Sequence, residues 1–368
     1  MSTLAWNAAV TRGDRLAATV AERELDALLV SAPVNVRYLS GYTGSNGAVV
    51  IGAGEDAERR FYTDFRYGTQ AQEEVPDRYE REIVTGDLLE AAVRALTGAG
   101  RLGFDDAHLS VKRHAAVLAA LPDGWELVPA AGAVEDLREV KDDEELARIG
   151  AAAALVDEIY AWIAERGLIG RTERQVAIDL EHEMRLRGAE GPSFPSIVAG
   201  GAHGALPHAV PRDVEIPPDV LVTIDIGAIV DGYCSDCTRT FATGELEPEA
   251  RDVYELVLRA QRVGVAAVTA GPAGRDVDAL ARAVIEDAGY GEYFGHGLGH
   301  GVGLEIHEGP RLHKLSGEVA LRAGNVVTVE PGVYLPGRFG VRIEDLIVVT
   351  SGEPDILSHY PLELVTVD

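Results

Sequence analysis

The stretch DVLVTIDIGAIVDGYCSDCTRTF, residues 219–241, decides the fold. Two runs rich in apolar and β-branched residues flank Asp231-Gly232, and an Asp-Gly pair in that setting is a strong hairpin signal. If the turn closes on that pair, Val230 faces Tyr233 and Asp225 faces Thr238. Asp236 then lies diagonal to Asp225 on the same face, roughly 7–8 Å away between backbones. Two carboxylates that close repel one another unless a cation lies between them. Turn-capping aspartates or a solvated polar face are the bland alternative. Yet Leu221 to Ile226 is nearly all apolar, and a lone carboxylate within such a run is costly unless it is paired or ligating. Cys234 and Cys237 tempt a redox reading. Their odd separation on a strand points them to opposite faces, roughly 10 Å apart and beyond the ~7 Å reach of a disulfide. With no second C-x-x-C to complete a zinc knuckle, both read as packing thiols.

Two further stretches carry chemistry-bearing residues. In GHGLGHGVGLEIHEGP, residues 295–310, no three glycines match G-x-G-x-x-G, so a dinucleotide reading fails. So many glycines argue against a helix, and in an extended chain the even spacing puts His296 and His300 on one face. His307 has the opposite parity, so a bend is needed for it to join them. A satisfied polar histidine is the ordinary reading of any one of these; three so close together favour a site. Neither His182-Glu183 nor His307-Glu308 completes H-E-x-x-H, which excludes a single-zinc protease helix. In NVVTVEPGVYLPGRFGVRIEDLIVVT, residues 325–350, Glu330 ends one apolar strand and Glu344 interrupts another. Arg342 shares a face with Glu344, where an ordinary salt bridge between them is an equally good reading.

Around these stretches the chain reads as α/β, with two domains. Its 368 residues are 46% hydrophobic and 25% charged, ample for a large core. Residues 1–130 alternate helical and strand patterns. Leu16, Val20 and Arg23 to Leu29 read as a helix running into a strand over Ala27 to Val30, with further strands at Ala48–Ile51 and Phe61–Thr63. Pro and Gly gather at 122–135, and the boundary is placed there: one domain over 1–135, the other over 136–368. Asp142 with Glu145, and Thr172 with Gln175, form capping boxes opening two helices that stop at Gly167 and Gly188. Six of the ten histidines fall between positions 203 and 313, so the chemistry belongs to the second domain. The net charge of −27 repels phosphate backbones and anionic lipid, which argues against nucleic-acid or membrane-surface roles. The opening residues lack a signal-peptide pattern, and no apolar run spans a bilayer. With two cysteines only, the expected compartment is reducing and cytoplasmic. G-x-S-x-G and P-loop patterns are absent.

Taken in order, Asp225, Asp236, His300, Glu330 and Glu344 resemble the five metal ligands of the pita-bread metallopeptidases, the family of methionine aminopeptidase, Xaa-Pro aminopeptidase and prolidase. Their contexts match too: TIDIG, YCSDCTRT, GHGLGHGVGL, VTVEPGVY and VRIED. VNVRYLSGYTGSNGAVVI with YTDFRY, residues 34–67, is similar to the creatinase-type N-terminal domain that the proline-specific members carry. The resemblance implies a small α/β domain followed by a pita-bread catalytic domain with a curved, mostly antiparallel sheet covered by helices. It also implies an Xaa-Pro aminopeptidase or prolidase working through a metal-bridging hydroxide. Four carboxylates and one imidazole form an oxygen-rich set suited to two divalent ions, Mn²⁺ foremost, with Zn²⁺, Co²⁺ or Fe²⁺ as alternatives. Glu330 would also take the proton of the nucleophilic water, His307 would contact the substrate and steady the tetrahedral intermediate, and His208 would assist the leaving proline nitrogen. His296 and Arg342 are candidate substrate contacts. Arg311 resembles a prolidase arginine that holds a substrate carboxylate, an exposed loop arginine being the equal alternative. Proline-containing peptides are the implied partners, and a homodimer the implied assembly. Two rival readings remain: a silent pita-bread module that binds peptides, and a creatinase-like hydrolase of a small amide that needs no metal.

Overall fold

The structure, a computed structural model, describes residues 11–368; the opening ten residues, part of the signal-peptide reading, lie outside the described residues. The chain divides into two compact units, Met1–Arg138 and Glu139–Asp368.

The first unit is built on a mixed six-stranded sheet. Its strands run in the order Glu80–Val84, Arg59–Asp64, Ala48–Gly52, Ala27–Val30, Gly100–Phe104 and Trp125–Pro129. The central strand Ala27–Val30 is buried at every position, as an all-apolar run in mid-sheet requires. The helix before it is shorter than the sequence suggested. It covers Arg12–Glu22 and does not extend through Arg23 to Leu29. Glu24 turns into the left-handed region (φ 56°), and the amides of Leu25 and Glu24 return to the carbonyls of Val20 and Ala21. That Schellman closure lacks the usual glycine, so no glycine marked the stop.

In the second unit every strand pairing within a sheet is antiparallel. Strands Cys237–Ala242, Leu221–Ile226 and Ile197–Gly200 form one sheet; Glu308–Leu312, Gly299–Gly301, Val326–Val329, Asp345–Val348 and Asp355–Ile356 form another. The Asp231-Gly232 turn closes as expected, pairing Val230 with Tyr233 and Asp225 with Thr238. Both turn residues adopt positive φ, the geometry that makes Asp-Gly favourable in a two-residue hairpin.

Two helix pairs cover these sheets. Asp143–Arg166 and Glu173–Leu186 open with the reciprocal capping boxes at Asp142 and Thr172. They pack Val156, Ile159, Tyr160, Val176 and Leu180 on the first sheet's apolar face, against Val222, Ile224 and Phe241. Helices Pro248–Ala267 and Gly274–Asp287 do the same for the five-stranded sheet through Val253, Val257, Val277 and Ile285. Fully burying one such side chain contributes roughly 1.5–3 kcal/mol, so the covered faces are rigid platforms for what stands on the opposite side. Cys234 and Cys237 form no disulfide and are buried in different apolar clusters, as packing thiols.

A close backbone approach tightens the second unit. A Cβ on Gly340 would collide with the Gly204 carbonyl oxygen, a backbone atom that cannot rotate away. Gly340→Ala is therefore expected to cost about 2 kcal/mol, read as a lower melting temperature. Gly352→Ala, with nothing within 4 Å of its added methyl, should leave the melting temperature unchanged.

Candidate metal centre and active site

Asp225 projects from the strand Leu221–Ile226, and Asp236 stands just before its hairpin partner Cys237–Ala242. Glu344 lies between the strands Phe339–Arg342 and Asp345–Val348. Together they bring ligand atoms of Asp225, Asp236 and Glu344 within 4.8 Å of one another. His300, in the strand Gly299–Gly301, adds its Nε2 at 3.4 Å from both Asp236 Oδ2 and Glu330 Oε1. All five residues singled out as ligands thus meet in one place.

The donor set fits a divalent cation on three structural counts. Asp225 Oδ1 and Glu344 Oε1 are buried and have no hydrogen-bond partner among the described residues, an expensive arrangement unless a cation satisfies them. The His300 Nδ1 lies 3.1 Å from the Gly301 carbonyl. A carbonyl only accepts, so Nδ1 carries a proton and Nε2, turned to the carboxylates, is the nitrogen that would ligate a metal. Finally, burial first, then mutual repulsion, drive the Asp236 and Glu344 carboxyls well above the usual carboxylate range. Asp225 is also pushed up by burial, against the opposing pull of Arg342.

Arg342 corrects one expectation. Its partner is Asp225, 2.7 Å from Nη2, and not Glu344. The remaining donors go to Thr238 Oγ1 (2.9 Å), the Pro207 carbonyl (3.2 Å) and Tyr334 Oη (2.9 Å). The strand-face argument placed Arg342 beside Glu344. It could not see Asp225 on the neighbouring sheet, which offers the guanidinium a buried carboxylate oxygen. Tyr334, accepting from Arg342, donates its O–H to His296 Nε2 at 2.9 Å, because His296 Nδ1 donates to the Gly297 carbonyl. Burial lowers the His296 pKa, consistent with a neutral ring.

Several supporting residues gave no sequence signal as site residues. Thr238 Oγ1 donates to Glu344 Oε2 at 2.7 Å. Thr328 Oγ1 accepts the His300 amide and donates to Glu330 Oε1. Arg239, 2% exposed, donates to the backbone carbonyls of Thr238, Glu344, Tyr360 and Pro361 and pairs with Asp345 at 2.8 Å. It thereby holds the ends of two strands beside the carboxylates. The T-x-T and E-D neighbourhoods of the ligands are the one place such supports could have been sought.

A cavity of about 690 Å³ opens over the carboxylates, within the range of small-ligand sites. Besides the ligands, it is lined by His208, His296, His307, Arg311, His313 and Arg342, with an apolar wall that includes Phe194, Pro195 and Pro207. His307 reaches it as the bend after Val302 reverses the chain, setting its ring centroid 4.4 Å from that of His300. Burial, then the nearby His300, lower the His307 pKa. Behind it, Lys141 Nζ holds Glu308 at 2.6 Å, both side chains buried.

Comparison with known proteins agrees with this site. Residues 147–351 match metallopeptidase family M24, and residues 12–140 match the creatinase/prolidase N-terminal domain. The chain is 42% identical to the Bacillus subtilis peptidase YqhT, over 93% of this chain and 96% of that one. It superposes on an Xaa-Pro dipeptidase from Bacillus anthracis with a TM-score of 0.92 and 39% identity, covering 97% of this chain and 99% of that one. For an X-Pro aminopeptidase from Thermotoga maritima the TM-score is 0.86 at 34% identity, with 93% and 98% covered.

The raised carboxyl pKa values fix a sign. In metal-stripped protein, folded Asp225, Asp236 and Glu344 hold protons that the unfolded chain has already released. Stability is therefore full below the ordinary carboxylate pKa and falls as pH rises through it toward the raised values. Melting of the stripped protein should drop as pH rises above the ordinary carboxylate range, and added Mn²⁺ should recover more at the higher pH. Asp236→Asn should weaken that recovery and lower the metal bound per chain, measured by elemental analysis.

Proposed function

The chain belongs to metallopeptidase family M24, and we propose that it is an Xaa-Pro exopeptidase: an enzyme that hydrolyses the bond before proline at the N-terminus of short peptides. The observation that carries this is the convergence of Asp225, Asp236, His300, Glu330 and Glu344 on one buried locus beneath a histidine-lined cavity. These five would hold two divalent ions, with Mn²⁺ the foremost choice for an oxygen-rich set. Such ions supply a Lewis acid and lower the pKa of water.

The chain's own groups divide the remaining work. Glu330, steadied by the Thr328 hydroxyl at 3.2 Å, receives the proton of the attacking water at its carboxylate. Neutral His307, beside His300, donates to the oxygen of the scissile carbonyl as charge develops there. His208 passes a proton to the proline nitrogen, which must be protonated to leave as a neutral amine rather than as an amide anion. His296, oriented by Tyr334 and the Gly297 carbonyl, contacts the substrate's amino-terminal side. Arg342 lines the cavity, but its committed donors make it the holder of Asp225. Arg311 lines the cavity and would pair with a free carboxylate after proline through a bidentate fork. That favours dipeptides, so prolidase is the preferred reading and Xaa-Pro aminopeptidase the second. The reading includes a homodimer, as the family resemblance implies. It also places the enzyme in the cytoplasm, which suits two cysteines outside any disulfide; no helix of the described residues is long and apolar enough to cross a membrane.

Metal-stripped protein with and without Mn²⁺, given Ala-Pro, Ala-Pro-Ala and Ala-Ala-Ala, tests the reading by released alanine. Metal-dependent cleavage of Ala-Pro alone is the expected result, and Arg311→Ala should then raise KM with little change in kcat. Release from Ala-Pro-Ala supports the aminopeptidase, whereas cleavage of Ala-Ala-Ala or silence on all three overturns the proposal. His307→Ala should keep its metal yet lose roughly a hundredfold or more in kcat. Glu330→Gln should lose both metal and turnover.

A further inference from the structure

His208 is exposed and stands on the segment between Gly200 and Arg212, which supplies Pro207, His208, Ala209, Val210 and Pro211 to the cavity wall. An exposed imidazole that must meet a leaving nitrogen needs a fixed backbone beneath it. Catalytic geometry tolerates errors well under 1 Å, and a misplacement of that size costs about a hundredfold.

The fixing point is Glu173, the first residue of the helix Glu173–Leu186 and itself only 2% exposed. Its Oε1 accepts from the Gly200 amide (3.0 Å), His203 Nδ1 (3.0 Å) and Arg212 Nη2 (3.0 Å). Its Oε2 accepts from His203 Nδ1 (2.9 Å), the Arg212 amide (3.0 Å) and Arg212 Nε (3.1 Å). One carboxylate thus joins the segment's first residue, its interior and its last. The backbone repeats the closure, with the Arg174 amide donating to the Arg212 carbonyl at 3.1 Å. Burial alone would raise the Glu173 pKa, yet the bonds from Arg212, Gly200 and His203 outweigh it and hold the group ionised. Glu173 is not among the cavity residues. So large an investment of charge-assisted bonds in a residue away from the chemistry needs a reason, and the helix, already capped at Thr172, does not supply one.

We propose that Glu173 is a positioning residue for His208, its carboxylate clamping both ends of the Gly200–Arg212 segment so that the imidazole and the adjoining apolar wall keep one placement over the carboxylate centre. Between the clamped ends, Arg342 grips the Pro207 carbonyl, one residue before His208. The segment is therefore tied at its ends to Glu173 and at its middle to the partner of Asp225. The inference rests on the reading of His208 as proton donor to the leaving nitrogen.

The test uses metal-loaded full-length enzyme in a double-mutant cycle on Ala-Pro: Glu173→Gln, His208→Gln and the pair. Metal content and amide hydrogen exchange across residues 200–212 are measured alongside. Glu173→Gln should keep its metal, speed exchange in that segment and lower kcat by about tenfold or more. In the His208→Gln background the same change should cost little further, because what it misplaces is already gone. Should Glu173→Gln fail to fold, Arg212→Gln, whose side chain is half exposed, loosens the same clamp, with a few-fold loss that likewise depends on His208. Equal losses in both backgrounds, loss of metal with kcat, or unchanged exchange would each overturn the proposal. If wild-type enzyme fails on Ala-Pro, the activity reading falls. Faster exchange in Glu173→Gln then upholds the clamp on this segment, and unchanged exchange refutes it.

Discussion

Like charges crowded out of water are the constraint on which the second unit is organised. Three carboxylates with ligand atoms inside 4.8 Å of one another, each nearly inaccessible to solvent, cannot all ionise unless positive charge is brought to them. The fold meets part of that demand with Arg342, which takes one oxygen of Asp225. It leaves the orphaned oxygens of Asp225 and Glu344 and the Nε2 of His300 to a cation. Much of the surrounding architecture serves to stop these groups from relaxing apart. The helix-backed sheets fix the strands, Thr238 and Thr328 orient the carboxylates, and Arg239 ties the backbone ends together.

The division between chemistry and support follows the layers. Groups proposed to meet the cation or the substrate lie on strands and bends facing the cavity. Those that hold them, Arg239 with Asp345 and Glu173 with Arg212, are buried or half-buried ion pairs off to the side. A buried pair contributes little net stability, but losing one partner leaves a desolvated charge. Such pairs therefore fix position more than they add to folding energy.

How much of this was legible in the sequence depends on the range of the interaction involved. The hairpin at Asp231-Gly232 was readable because a two-residue turn sets register by counting, and the opposition of Asp225 and Thr238 followed from that count. The capping boxes at Asp142 and Thr172 were likewise local. The five candidate ligand positions were legible chiefly as a family pattern, since they come from three separate stretches of chain. What stayed hidden was cross-sheet or lacked its usual marker. Arg342 found Asp225 more than a hundred residues away, where strand parity had offered only Glu344. The first helix stopped at a glycine-free Schellman turn. Thr238 was visible only as the residue opposite Asp225, and Tyr334, bonded to both His296 and Arg342, looked like any strand tyrosine.

The two thiols have a practical corollary for anyone handling the protein. Cys237 sits beside Asp236, but burial pushes its thiol well above the usual range, and Cys234 is packed away in another cluster. A buried sulfur has little access to solvent-borne oxidants, and a thiol held protonated, as Cys237 is, is a poor ligand beside hard oxygen donors. On the proposed reading, the agent to guard against on the bench is the chelator in the buffer rather than the oxidant.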